Sequence, residues 1–251
     1  MGVNIMNQTL ETIYQHVSVR SFTEEKLTQN EIKELVTAAQ SAATASYQQS
    51  YSIIGITDDK IKSKIAEYAG NQPFIKESPE LFIFIADLHR NKEMSKRLGI
   101  DVSRAIENVD ATIVGAVDAS IAAQNMVIAA ESMGLGTCYI GGVRDGIEEI
   151  SKLLEIPNDA YPVFGLVIGH PDQRNDLKPR IPFDGIYTTN KYFKDESKII
   201  DDYNEETRSY YQNRSGRKSN RTWADTSIKS IEKHPRDYMK RFLNKRGLAK
   251  Y

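Results

Sequence analysis

The 251 residues suit one large domain, or a domain with an extension, and 40% of them are hydrophobic against 27% charged, an ordinary globular balance. A formal net charge of −1 leaves no global basic field for nucleic acid. The single cysteine, Cys138, excludes an internal disulfide, a Cys-x-x-Cys redox pair and a multi-cysteine zinc site; a reducing, cytoplasmic compartment is expected.

Met1 to Thr9 lacks a charged segment followed by an apolar one, so no signal peptide is expected, and Met1-Gly2 without Ser or Thr at residue 6 argues against myristoylation. Leu10, Ile13, Tyr14 and Val17 recur at helical spacing and predict a short first helix. Thr28-x-x-Glu31 is a capping-box pattern, and Ile32, Leu35, Val36 and Ala39 supply the apolar stripe of the helix after it. That helix runs into the small, polar segment Ser41 to Ser46. Tyr51 to Thr57 is rich in β-branched residues and predicts a strand. Asp58 is placed to cap a helix carrying Ile61, Ile65 and Tyr68, and Gly70 to Pro73 reads as a loop. Leu81 to Ala86 is almost wholly apolar, as in a strand covered on both faces.

A long helix is predicted from near Asp110 to Ser132, ended by Gly134 and Gly136. The apolar stretch Ile113 to Met133 is interrupted by Asp118, Gln124, Asn125 and Glu131, which favours a buried helix over a membrane span. Thr137 to Ile140 reads as a short strand stopped by Gly141-Gly142. Asp145 is placed to cap a helix carrying Ile147, Ile150, Leu153 and Leu154, and Val163 to Ile168 reads as a further strand. A proline-containing loop follows over 171–190, and the last 60 residues are polar and mostly helical. Helices and buried strands alternate, so the class is α/β or α+β with helices on both faces of a sheet; strand order is not fixed by the sequence.

Charge is uneven. Residues 205–251 hold 13 Lys/Arg against 5 Asp/Glu, a net of +8, which leaves −9 on residues 1–204. Such an extension is either a site for a phosphorylated ligand or a solvated helical tail docking on an acidic body.

No Gly-x-Gly-x-x-Gly, Walker-type Gly-x-x-x-x-Gly-Lys or Gly-x-Ser-x-Gly occurs, which leaves Rossmann, P-loop and hydrolase sites without support. His16, His89, His170 and His234 lack metal-ligand spacing. Three polar clusters remain at predicted element ends: His16-Val-Ser-Val-Arg20, Tyr139-Ile-Gly-Gly142 and Lys178-Pro-Arg180. Two basic residues on either side of a rigid proline can hold a phosphate from two directions. Paired glycines let a backbone approach a flat ring. Read singly, Arg20 could equally be a surface arginine, Lys178 and Arg180 solvated, and Gly141-Gly142 a turn.

Read together, these clusters resemble the oxygen-insensitive NADPH nitroreductase and flavin reductase P group of the nitroreductase family. The resemblance runs through His16-x-Ser-x-Arg20-x-Phe22, Gln72, Ala129 to Gly136, Tyr139-Ile-Gly-Gly-x-Arg144, Pro162 to Leu166, Lys178-Pro-Arg180, Tyr210-Tyr211 and Thr222-Trp223. It implies an α+β fold, a central, mostly antiparallel sheet flanked by helices, with an FMN-binding domain over 1–204 and a basic helical extension over 205–251. It implies a cytoplasmic homodimer holding FMN without a covalent bond and passing hydride from NADPH through flavin N5, in ping-pong turnover, to nitro compounds, quinones or flavins. The alternative kept open is a flavin-binding redox sensor or store with little turnover. No nucleic acid, membrane or metal is expected, and no side chain is expected to do the chemistry itself, which is the flavin's.

The resemblance implies these cofactor contacts: His16, Ser18 and Arg20; Thr44, Ser46 and Gln49 in a stretch that is serine-rich in the family; Gln72 at the ring's polar edge; the backbone of Tyr139, Ile140, Gly141 and Gly142 along the ring; and Lys178 and Arg180 on phosphate. Arg214 is implied at the NADPH 2′-phosphate, joined by Arg217, Lys218 or Arg221. Val17 stands where some relatives have a basic residue, and Thr44 and Ala45 replace serines, so weaker FMN binding is expected. The long helix from Asp110 to Ser132, with its small residues, either packs across a two-fold axis or lies in one subunit's own core.

Overall fold

The structure, a computed structural model, describes residues 7–251. Met1-Gly2, and with it most of the Met1 to Thr9 reading, lies outside the described residues. The chain forms two compact units, one running through Arg174 and taking in Arg236–Tyr251, the other Asn175–Pro235.

The first unit opens with α1 (Gln8–Tyr14), capped by the Asn7 side chain. Val17, expected on this helix, lies beyond it in a segment running alongside the sheet: Val19 N donates to Thr137 O at 2.8 Å, and Ser18 forms a parallel bridge to Thr137. In α2 (Gln29–Gln40) the Thr28–Glu31 capping box closes in both directions, and Leu35 and Ala39 are fully buried. Then come β1 (Tyr51–Ile56), α3 (Asp59–Tyr68) and α4 (Pro73–Glu77). Asp58 caps α3, accepting from Lys60 N and Ile61 N. Pro73, expected in a loop, instead opens α4, where a missing N–H costs nothing.

β2 (Glu80–Asp87) is followed by α5 (His89–Leu98), α6 (Ser103–Ile106) and α7 (Val109–Ser132). Periodicity did not reveal α5, because Met94 and Leu98 are its only large apolar residues and both are exposed. β3 (Gly136–Ile140), α8 (Ile147–Leu153) and β4 (Ala160–Gly169) complete the core. Asp145 does not cap α8, whose N-cap is Gly146 without a side-chain bond. Its carboxylate accepts from Arg236 Nε at 2.9 Å instead.

The four strands pair antiparallel in the order β1-β2-β4-β3. Side chains alternate across β2. Phe82, Phe84 and Ala86 join α2 and α7 on one face; Leu81, Ile83 and Ile85 join α3, α8, Cys138 and Ile140 on the other. Register shifts between Phe84 and Ile85, leaving Val163 as the extra residue of a bulge, and its carbonyl accepts from Arg144 Nη1 at 2.6 Å.

Among the described residues α7 alone has the length and apolar composition of a membrane span. It packs as a core helix, burying Gly115, Asp118, Ala119, Ala122, Ala123, Met126, Val127 and Ala130 between α2 and the sheet. α11 (Met239–Lys245) returns to this unit and buries Phe242.

The second unit comprises a loop, α9 (Ser197–Asn213) and α10 (Trp223–Lys233). The charge step at residue 205 therefore falls inside α9.

Candidate functional site

In the first unit, the end of α7, the start of β3 and the segment after α1 meet around one carboxylate. Glu131, its side chain only 9% exposed, accepts from His16 Nδ1 at 2.6 Å and from Thr137 Oγ1 at 3.2 Å. Because Nδ1 donates here, Nε2 is the ring atom left to face a ligand. Ser18 and Arg20 follow on the strip beside β3. Arg20 is exposed, its guanidinium 5.8 Å from the centre of the Phe74 ring. Cys138, beneath them, is a buried free thiol whose pKa is pushed up by burial. It fills core volume.

Tyr139 stands on the opposite face of β3 from Cys138 and Ile140. Its hydroxyl donates to Gln124 at 3.3 Å, and its ring meets Phe164 edge-on at 5.2 Å. Burial, with the Glu131 charge second, drives its phenol pKa upward, so it stays neutral. Ile140 is buried.

The two glycines after β3 differ. A Cβ on Gly142 would lie 2.5 Å from Ala69 O and 2.7 Å from Gln72 Nε2. Gly142 is thus required by the α3–α4 turn that seats Gln72, whose amide donates to Ala69 O at 2.7 Å. A Cβ on Gly141 would meet nothing closer than Arg144 Nη2 at 3.4 Å. Gly141 is the one with space beside its backbone.

Thr44, Ser46 and Gln49 lie in the seven-residue turn 44–50 before β1. Ser46, Tyr47 and Gln49 take left-handed φ values of 48°, 59° and 51°. For side-chain-bearing residues each costs about 1–2 kcal/mol. The opposing contacts are in place: Gln49 N donates to Thr44 Oγ1 at 3.3 Å, Asn91 Nδ2 donates to Gln48 O at 3.2 Å, and the Asp118 carboxylate holds both ends of the turn, from Ala45 N at 2.9 Å and Ser50 N at 3.0 Å. Ala45, which lacks the family's serine hydroxyl, contributes through its backbone. Neither Asp118 nor Glu131 stood out as a site residue in the sequence; the available signal was an acid interrupting an apolar helix.

In the second unit, Tyr203 Oη donates to Pro179 O at 2.9 Å, fixing the proline between Lys178 and Arg180. These residues line a cavity of about 730 Å³ with Tyr203, Tyr211 and Trp223. Ser215 donates from both N and Oγ to Asp176 Oδ2, tying the turn after α9 to the Lys178 loop. Of the basic residues in that turn, Arg214 and Arg221 both approach the Tyr211 ring, at 5.2 and 4.1 Å from its centre. Arg214 Nε also donates to Arg217 O at 2.7 Å, while Arg217, Lys218 and Arg221 are exposed.

Within the first unit the donors suit a flavin mononucleotide: hydroxyls and the Arg20 cation suit its ribityl chain and phosphate, the Gln72 amide suits the ring's polar edge, and the Gly141 backbone leaves room for a flat face. Among the described residues no His, Cys, Asp and Glu group could hold a metal.

Comparisons with known proteins agree across the chain. The model described as the nitroreductase family matches residues 13–170, and its C-terminal domain matches 178–251. The FMN reductase (NADPH) of Bacillus subtilis (strain 168) is 40% identical over 248 residues, covering 98% of this chain and all of that protein. The structure of B. megaterium NfrA1 superposes with a TM-score of 0.94 at 41% identity, covering 97% of this chain and 100% of the other. That of NADPH:FMN oxidoreductase from Vibrio harveyi, complexed with NAD+, gives 0.89 at 33% identity, covering 98% and 100%.

Proposed function

The chain belongs to the nitroreductase family, and from that premise we propose that it is an FMN-dependent oxidoreductase drawing electrons from NADPH to reduce nitro compounds, quinones or flavins. The observation that carries the reading is the end of β3, where the open backbone at Gly141 sits beside the Gln72 amide that Gly142 makes room for. FMN held there would supply the redox chemistry that links NADPH oxidation to reduction of the acceptor.

The residues' part is binding and orientation. His16 is held by Glu131 through Nδ1, and Ser18 and Arg20 follow it with a hydroxyl and a cation. Thr44, Ser46 and Gln49 present donors on a turn of fixed shape. Lys178 and Arg180 are retained as the phosphate ligands the family resemblance implies. For the NADPH 2′-phosphate we assign Arg214 and Arg221, because both guanidinium groups lie against the Tyr211 ring. This gives the basic extension over 205–251 its role. A site with few polar contacts discriminates little among flat aromatic acceptors.

A cytoplasmic homodimer is the assembly proposed. Its support is an exposed apolar line along α7, Val109, Ile113, Val117 and Ile121, spaced four residues apart and 48, 54, 47 and 40% exposed. A monomer in sedimentation would refute it. The single unpaired cysteine supports the compartment.

The decisive experiment adds NADPH anaerobically to the yellow holoprotein. Prompt bleaching of the visible flavin band is expected. A protein that stays yellow is a flavin store or sensor, and one that retains no FMN refutes both readings.

A further inference from the structure

We propose that Asp118 is a positioning residue for the cofactor: it prebuilds the 44–50 turn in its FMN-binding shape before FMN arrives. The inference rests on the FMN reading above and concerns a residue in the body of the long core helix.

Asp118 has no exposed surface. A carboxylate in such a place is costly unless its oxygens are satisfied. Both are satisfied by the same short segment: Oδ1 takes the Ala45 N–H and Oδ2 the Ser50 N–H. These two amides bracket the three left-handed residues Ser46, Tyr47 and Gln49. One rigid group on a helix thus sets the distance between the ends of a turn that local backbone preference opposes.

The surroundings reinforce the geometry. One turn earlier on α7, Gly115 lets the helix come close: a Cβ there would be 3.0 Å from Ala86 Cβ and 3.4 Å from Ser50 O. Asp87 N donates to Ser50 O at 2.9 Å, pinning the exit of the turn to β2. Exit and entry are therefore referenced to the sheet and to α7, which fixes the backbone between them, and Thr44 Oγ1 is held just outside by accepting from Gln49 N. Function selects an aspartate here because two acceptors are needed. Asparagine keeps the shape but turns an N–H toward one of the two amide donors.

The test uses full-length protein stripped of FMN and titrated with FMN by fluorescence, comparing wild type, Asp118→Asn and a Thr44→Ala/Ser46→Ala double variant. Losing one hydrogen bond to a charged acceptor corresponds to about a tenfold or greater rise in the FMN Kd for Asp118→Asn. With FMN saturating, its KM for NADPH should match wild type. If Asp118→Asn binds FMN normally while the double variant does not, the positioning role is overturned and the FMN reading stands. If neither variant weakens FMN, the turn is no part of the site and the positioning role is overturned, while the FMN reading, carried by Gly141 and Gln72, stands. Hydrogen exchange on the wild-type apoprotein covers the case in which Asp118→Asn does not fold. The Ala45 and Ser50 amides should already be as protected as those of β1 and gain nothing when FMN is added. Protection appearing only with FMN would show that the cofactor shapes the turn, and would overturn the proposal.

Discussion

Adding one methyl group at each of two neighbouring glycines should have opposite outcomes. At Gly142 the new Cβ would sit 2.5 Å from the Ala69 carbonyl oxygen, 3.2 Å from its carbon and 2.7 Å from Gln72 Nε2. Carbon contacts relax at about 3.5–4.0 Å, so the α3–α4 turn has to move by most of an ångström. Ala69 is buried and its carbonyl is backbone, so no flexible side chain can absorb the shift. Overpacking of this kind costs about 1–3 kcal/mol. Loss of the Gln72–Ala69 hydrogen bond adds about 0.5–1.5 kcal/mol. In a chain of this size each kcal/mol lowers Tm by about 2–4 °C, so the steric contribution alone predicts a fall of roughly 2–12 °C for Gly142→Ala. At Gly141 the nearest atom is the end of the Arg144 side chain at 3.4 Å. Gly141→Ala should leave Tm within about 2 °C of wild type, since the stiffer unfolded chain offsets small losses. It should instead raise the FMN Kd, because its methyl occupies the space assigned to the ring. Thermal melts of the apoproteins, followed by FMN titrations, read both effects. A Gly142→Ala protein that melts with wild type, or a Gly141→Ala protein as unstable as Gly142→Ala, would refute the reasoning.

Two further outcomes follow from the site and the core. Arg214→Ala and Arg221→Ala should each raise the KM for NADPH roughly 10- to 100-fold, the equivalent of one charged hydrogen bond, and leave NADH use nearly unchanged; a larger effect from Arg217→Ala, or equal losses with both cofactors, would overturn the assignment. Glu80 is buried, and burial raises its carboxyl pKa against the opposing pull of Lys62 and Lys26. For an acid whose native pKa lies above its unfolded one, the contribution to stability is full below the usual glutamate range and is lost as pH rises through the raised value. Glu80→Gln should therefore gain stability relative to wild type as pH rises above the ordinary glutamate range in denaturant titrations; a gap that narrows with rising pH would contradict this.

The sequence by itself determined what depends on neighbours along the chain. The Thr28–Glu31 capping box, the Asp58 cap, the buried run at Leu81 to Ala86 and the long helix to Ser132 were legible because periodicity and local hydrogen bonding act within a few residues. The motifs from His16 to Trp223 carried the family. α5 was illegible because its only large apolar residues, Met94 and Leu98, are exposed, and Asp145 misled because the cap pattern was present while Arg236, some ninety residues away, held the carboxylate. Only the tertiary structure decided why Gly142 has to be glycine, which of the basic residues after α9 share Tyr211, and what Asp118 and Glu131 do inside a helix. The physical reason is the same in each case: the deciding partner is brought near by folding alone, so its effect leaves no spacing in the sequence to read.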